Sequence, residues 1–252
     1  VAGNVSIDGG TIKLDGNYPT GTNNVALGNA ALDDGSLSGE RNVAIGTNTL
    51  TANTSGNRNT ALGYNSLCSN TTAACNTAIG TQSLENNTIG AKNTGVGYAS
   101  LFANTEGDFN VGLGSSALQA NTTGDNNTAV GFCSLKCSTT ASNNTAVGFE
   151  SLCSNTTGAA NSSIGRHSLR DNTTGNCNTG LGHNALRANT EGEFNTAVGN
   201  NALLSNTTAD NNTAVGFCSL YSNTTGVANI AVGRTSLTNN TTGGSNVAIS
   251  CS

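Results

Sequence analysis

Two histidines, His167 and His183, are the only imidazoles in the sequence, and serines are frequent around both. A serine beside a histidine is the basis of nucleophilic catalysis, but no nucleophile elbow, phosphate-binding loop or dinucleotide-binding fingerprint accompanies either one. Carboxylates such as Glu106 recur 85 residues later, as at Glu191, which indicates duplicated surface positions rather than an acid–base pair. The sequence therefore predicts a protein that is not an enzyme and needs no cofactor.

The eight cysteines are scattered and lack the paired C-x-x-C spacing of a zinc site, so no metal is predicted. Cys137 and Cys153 are 16 residues apart. We expect them to form a disulfide, and we expect other cysteines to pair in an oxidising compartment, some of them between subunits.

Seven asparagines open N-x-T sequons, and two interpretations of them stay open. They are either N-glycosylation sites of a glycoprotein or inward amide ladders that stabilise parallel coils. Equivalent asparagines such as Asn104 and Asn189 lack the threonine of the sequon, which favours the ladder. The possible glycosylation sites are Asn70, Asn121, Asn155, Asn172, Asn206, Asn223 and Asn240.

Composition excludes several classes of protein. Charged residues make up 9% of the chain, against about 25% in an ordinary soluble domain. The net charge is −5, and the lysines and arginines occur singly, so we expect no nucleic-acid partner. No apolar run is long enough to span a membrane, and the first residues do not resemble a signal peptide.

A 17-residue repeat dominates the chain. An asparagine recurs at every seventeenth residue from Asn42 to Asn246, and the unit reads N-T-A-V-G-x-x-S-L-x-x-N-T-T-G-x-x. We number its positions from this asparagine, position one. Seventeen residues rich in Asn, Thr and Gly are too few and too poor in helix formers for a helical hairpin. The repeat predicts an all-β parallel β-solenoid of about fourteen coils over residues 24–252, with residues 1–23 as a β lead-in, cap or inter-subunit strand.

Alternation along each short strand predicts which columns face the core. We expect positions two, four and nine to point inward. The predicted core ladder includes Val130, Leu135, Val147, Leu152, Ile164 and Leu169.

Position three should then face outward, and it holds only Ala, Gly or Ser, which suggests close approach by a second chain. The alternative is that position three lies in a cramped corner. Exposed aromatic residues at position six fit the same subunit contact better than a carbohydrate site. The interface candidates are Ala129, Ala146, Gly112, Gly180, Phe132, Phe149 and Phe217.

Threonine at position thirteen repeats in twelve consecutive coils, from Thr54 to Thr241. Regular threonine columns are found on ice-binding β-solenoids, but position fourteen is interrupted by residues such as Glu106 and Ile89. We therefore expect position thirteen to form a structural ladder that bonds the backbone. An ice-binding face is kept as an alternative.

The motif Asn42-Val43-Ala44-Ile45-Gly46 and its copies resemble the β-roll heads of YadA-like trimeric autotransporter adhesins. The longer unit N-T-A-V-G-x-x-S-L also resembles repeat regions of marine phage tail-fibre and related structural proteins. The period of 17 is longer than the adhesin repeat. The resemblance implies left-handed coils, a homotrimer, and an extracellular, cell-surface or virion location.

These observations predict a rigid, non-enzymatic fibre protein that serves attachment. Its expected partner is itself, as a homotrimer or an end-to-end filament, with a cell-surface glycan or receptor as a further candidate and no insertion into a membrane. The alternatives are an extracellular filament without a receptor, formed by end-to-end stacking, and an ice-binding β-solenoid.

Overall fold

The structure is a computed structural model that describes residues 23–249. Within that range the regular elements are fourteen β-strands of three residues each. The predicted lead-in, residues 1–23, lies outside the described residues apart from Asn23. The strands are β1 (Val25–Leu27), β2 (Val43–Ile45), β3 (Thr60–Leu62), β4 (Thr77–Ile79), β5 (Thr94–Val96), β6 (Val111–Leu113), β7 (Thr128–Val130), β8 (Thr145–Val147), β9 (Ser162–Ile164), β10 (Thr179–Leu181), β11 (Thr196–Val198), β12 (Thr213–Val215), β13 (Ile230–Val232) and β14 (Val247–Ile249).

All fourteen strands form one parallel sheet in sequence order, each paired with the strand of the next coil. The register never slips, so that Thr128 pairs with Thr145 and Val130 with Val147, residues at the same position of the repeat. The prediction of an all-β parallel β-solenoid with a 17-residue coil is confirmed.

A glycine at position five follows each of the first thirteen strands and turns the chain. Gly131 has a φ of 134°, which residues with a side chain rarely adopt. A Cβ atom there would lie 2.4 Å from the carbonyl oxygen of Gly148 in the next coil. The corner is therefore restricted to glycine both by its backbone conformation and by the close stacking of the coils.

The coil interior is narrow, and position three faces into it. The prediction that position three points outward is wrong: Ala129, Ala146, Gly112 and Gly180 are all buried. A Cβ atom on Gly95, the same position, would lie 2.6 Å from the Ser83 hydroxyl. Position three is small because it packs across the coil interior, and no second chain is needed to explain it.

Positions two and four face outward, which is the reverse of the predicted direction. Val130 and Val147 are only partly buried and Ile164 is 44% exposed, so these three members of the predicted core ladder lie on the outer surface. The other three, at position nine, are fully buried as predicted. These are Leu135, Leu152 and Leu169.

The remainder of the interior is polar and is built from two asparagine ladders. At position one, the main-chain N–H of Asn127 donates to Oδ1 of Asn110 at 2.9 Å, and its Nδ2 donates to the Ala141 carbonyl at 2.8 Å. At position twelve, Nδ2 of Asn104 donates to Oδ1 of Asn87 at 2.7 Å and to the Gly107 carbonyl at 3.0 Å. Apart from Nδ2 of Asn212 and the gap described next, the buried amides are thus satisfied by their copies one coil away and by carbonyl groups of their own coil, as burial of polar groups requires.

The ladder at position twelve has one gap, at Ser138. This serine is fully buried, and its Oγ has no hydrogen-bond partner among the described residues. Oδ1 of Asn121, one coil earlier, is also left without a donor. Two buried polar atoms are therefore unsatisfied at this one step of the ladder.

Leu67→Ala and Leu62→Ala, two changes in one coil, test the direction of the columns. Leu67 is fully buried and Leu62 is 43% exposed. We expect Leu67→Ala to lower the free energy of unfolding by about 2–5 kcal/mol and Leu62→Ala by less than about 1 kcal/mol. Chemical denaturation at low micromolar concentration measures both, and equal losses would contradict the assignment of inner and outer columns.

Ser138→Asn is expected to stabilise the protein. The new amide would donate to Oδ1 of Asn121 and accept from Nδ2 of Asn155, completing the ladder. Removing unsatisfied buried polar atoms should raise the free energy of unfolding by about 1–3 kcal/mol. Ser138→Ala serves as the control because it removes the hydroxyl without extending the ladder, and a result in which Asn is no more stable than Ala would rule out this account of the gap.

Candidate interaction surfaces

The most extensive exposed apolar surface lies on the outside of the sheet. We call it the strand face and define it as positions two and four of the fourteen strands. Neither column holds a charged residue. Branched aliphatic residues at position four are exposed by 36–45% in the interior coils, namely Leu62, Ile79, Leu113, Ile164 and Leu181.

The strand face is long, regular and large for a surface in contact with water. Fourteen strands at about 4.8 Å spacing extend for about 60 Å. Two columns about 10 Å wide then cover about 600 Å². The aliphatic residues of position four make up about half of this area, because position two is threonine in eight of the strands. The strand face is therefore a candidate contact surface.

A second exposed column, at position six, is partly aromatic. Phe132, Phe149 and Phe217 are 49%, 43% and 47% exposed, in agreement with the prediction that this column faces outward. The rings of Phe132 and Phe149 stack with centroids 5.3 Å apart and planes 18° apart. Phe217 instead packs under the guanidinium of Arg234, 5.8 Å from the ring centroid.

The threonines of position thirteen form a structural ladder, as predicted. The hydroxyl of Thr71 donates to the main-chain carbonyl of Thr88 at 3.1 Å, and Thr122 does the same to Thr139. These side chains are partly buried, whereas position fourteen beside them is exposed. The two columns therefore do not form a flat threonine face.

The sequon asparagines belong to the ladder at position twelve, which is the interpretation that the sequence favoured over glycosylation. Nδ2 of Asn172, the atom that would carry a glycan, donates to Oδ1 of Asn155 at 2.7 Å and to the Gly175 carbonyl at 3.0 Å. Asn240 is only partly buried, but its Nδ2 donates in the same way. The Nδ2 atoms are thus engaged in hydrogen bonds within the solenoid. The six fully buried members are Asn70, Asn121, Asn155, Asn172, Asn206 and Asn223.

The predicted disulfide is not formed, although its two residues are neighbours. The main-chain N–H of Cys137 donates to the carbonyl of Cys153 at 3.1 Å, but both side chains are free thiols. Cys137 is exposed, whereas Cys153 is partly buried, so the two side chains differ in their surroundings. Burial, followed by the nearby thiols of Cys137 and Cys133, raises the pKa of Cys153 to about 11.

Each histidine lies beside a charged side chain of a neighbouring coil. Nε2 of His167 lies 3.3 Å from a carboxylate oxygen of Glu150, and burial together with the Arg166 charge lowers the pKa of His167. Nε2 of His183 lies 3.4 Å from Nη1 of Arg166. Between residues 23 and 249, no three His, Cys, Asp or Glu side chains are grouped so that they could hold a metal ion.

No family model, curated protein or solved structure matches this chain. In the described coils there is also no helix of the length and hydrophobicity that crossing a membrane would require. The interaction surfaces therefore have to be interpreted from their own geometry.

The thiols should differ in reactivity. The thiolate is the reactive form of cysteine, so the raised pKa of Cys153 keeps it protonated at about pH 8. We expect iodoacetamide to modify the exposed Cys137 and Cys177 in the folded protein, and to modify Cys153 only after denaturation. Peptide mass spectrometry gives the result. Equal labelling of Cys137 and Cys153 in the folded state would contradict the burial described here.

Proposed function

We propose that this protein is a non-enzymatic structural rod that associates side by side with copies of itself through the strand face. The observation that carries the proposal is the pair of uncharged columns that run along all fourteen strands on the outer side of the sheet, where their side chains are partly or fully accessible. Exposed apolar surface of this extent is favourable to bury, at about 25 cal/mol per Å². The rod itself supplies stiffness, because its coils are joined without a break in register.

A second copy of this chain is the partner that fits the strand face best. Side chains recur on it at the strand spacing, and another copy presents the same spacing over the same length. The area of about 600 Å² approaches the roughly 800 Å² per partner of a standard interface, and residues at the neighbouring corners can supply the rest. Absence of charge on the face removes the usual barrier to burying it.

The setting that we propose is an extracellular or virion fibre with a role in attachment. The low content of charged residues, the single continuous solenoid and the resemblance of the repeat to adhesin heads and tail-fibre regions support it. An end-to-end filament without a receptor remains the alternative for the same rod.

Ice binding is the second candidate function, and the strand face favours it more than the threonine column at position thirteen does. Position two is threonine in eight of the fourteen strands, beside a parallel column of aliphatic residues. A flat array of hydroxyl and methyl groups at a fixed spacing can order water. Position four, however, varies among Val, Ile and Leu, which makes the surface uneven and fits protein contact better.

The double variant Val130→Lys with Ile164→Lys tests self-association. Both residues belong to the strand face, and two buried ammonium groups without partners should abolish contact between copies. The matched control, Thr140→Lys with Thr174→Lys, places the same charges two coils apart in the exposed column at position fourteen. Light scattering and electron microscopy give the mass and the form of each sample.

We expect the unmodified protein and the control to form the same oligomer and the strand-face variant to be monomeric. A monomeric unmodified protein, or an oligomer that persists in the strand-face variant, would overturn the proposal. Thermal hysteresis of a monomeric unmodified protein, lost in the strand-face variant alone, would replace the proposal with ice binding.

A further inference from the structure

One stretch of the outer surface differs from the mainly polar repeat because it carries charged and aromatic side chains. Between residues 132 and 187, positions six, seven and ten carry four of the nine lysines and arginines of the chain and both of its histidines. The net charge of the whole chain is −5, so this concentration is local. We call the region the basic edge and define it by Phe132, Phe149, Arg166, His167, Arg170 and Arg187.

Side chains of the basic edge are joined by ring contacts across successive coils. Phe149 stacks on Phe132, and the guanidinium of Arg166 lies 5.8 Å from the centre of the Phe149 ring. The His167 ring is 5.6 Å from Phe149 and 6.3 Å from His183. The result is an apolar ring surface directly beside a cationic one.

The positive charges of the basic edge are only partly compensated. Arg170 donates to Asp171 at 2.7 Å, and Glu150 lies 3.3 Å from His167. Within residues 23–249, neither Arg166 nor Arg187 has a carboxylate at ion-pair distance. Arg170 and Arg187 occupy position ten of adjacent coils, and the main-chain N–H of Asp171 donates to the carbonyl of Arg187 at 3.0 Å. Burial and the charge of Arg166 lower the pKa of His167, and Arg170 and Arg187 add to this against the opposite effect of Glu150.

We propose that the basic edge binds an acidic sugar, a pyranose that carries a carboxylate or a sulfate. Arg166 and Arg187 would hold the acidic group, because a guanidinium presents paired donors that match a carboxylate or sulfate. Phe132 and Phe149 would contact the apolar C–H face of the pyranose ring. Charge complementarity and the aromatic surface beside it select this class of ligand.

Nucleic acid fits the same edge poorly. Nucleic-acid binding gains most of its affinity from many phosphate contacts. Residues 132–187 as a whole, with Lys136 included, hold four basic residues against Glu150 and Asp171, a net charge of +2 on a chain that is otherwise negative. This charge suits one or two acidic groups.

The chain contains its own control for this proposal. Arg234 lies over Phe217 at 5.8 Å, the same distance as Arg166 over Phe149. The residues at position ten in these two coils are Tyr221 and Thr238 instead of basic residues. The Phe217–Arg234 pair therefore reproduces one contact of the basic edge without its concentration of charge.

The test is a titration of the full chain with trigalacturonic acid, followed by calorimetry or NMR, in parallel with its neutral methyl ester and a sulfated disaccharide. We expect the acidic probes to bind and the methyl ester to bind about tenfold more weakly or not at all. Arg166→Gln combined with Arg187→Gln should lower the affinity about tenfold or more. Arg234→Gln should leave it unchanged.

Preference for trigalacturonic acid or for the sulfated disaccharide identifies which acidic group the edge takes. The proposal is overturned if no acidic sugar binds at millimolar concentration, if the double variant binds like the unmodified protein, or if a single-stranded oligonucleotide of equal charge binds more tightly. Circular dichroism and the oligomeric mass of each variant separate loss of binding from loss of the fold or of the strand-face contact.

Discussion

Apart from the coil that holds Ser138, each complete 17-residue coil places two asparagine side chains in its interior, and the rest of the fold depends on how their amides are satisfied. The amide oxygens accept hydrogen bonds from the next coil, as Asn42 does from Asn59 and Asn53 from Asn70, and the amide nitrogens donate to carbonyl groups at the corner. In the coil that begins at Asn42, both Asn42 and Asn53 donate to the carbonyl of Gly56. A buried amide without partners would be costly, so each coil is stable only between two others. The solenoid is therefore cooperative along its axis, as in other repeat proteins.

This polar interior also determines where the apolar residues go. With two asparagines and a small hydroxyl or alanine inside, one leucine and one small residue fill the remaining space. The side chain of this leucine reaches the interior from a backbone with positive φ, as at Leu135 with a φ of 49°. Such a conformation is strained and rare for residues with a side chain. The two large residues of each strand are left outside. The strand face is thus a direct consequence of the ladders, and it is available for contact in every coil.

The sequence predicts much of this fold because the repeat constrains it. Period, parallel pairing, corner glycines, buried leucines and the structural role of the threonines at position thirteen all follow from residue types that recur in fixed positions. The direction of positions two and four could not be predicted. Alternation along a strand shows that these two side chains share a face, but it does not show whether that face is the inner or the outer one. Aliphatic residues such as Val130 suggest an inward phase. The small residues at position three were the contrary signal, since a narrow interior explains them as well as a second chain does.

Surface contacts were harder to predict than the interior. The basic edge was missed because its members come from different columns of the repeat and meet only when successive coils stack. Arg166 and His183 share position six, whereas His167 and Arg187 come from positions seven and ten. The signal in the sequence was that four of the nine lysines and arginines occur within 60 residues. This signal becomes informative once the fold shows that positions six, seven and ten lie on the outer surface.

Hydrogen exchange of the asparagine side-chain amides, followed by NMR, tests the central claim most directly. We predict that Nδ2 protons in both ladders, such as those of Asn104 and Asn127, exchange as slowly as the main-chain amides of the buried leucines. The exposed Asn239 should exchange at the rate of a free side chain. Fast exchange at Asn104 and Asn127 in the folded protein would contradict the account, because the interior would then not be held together by its amides.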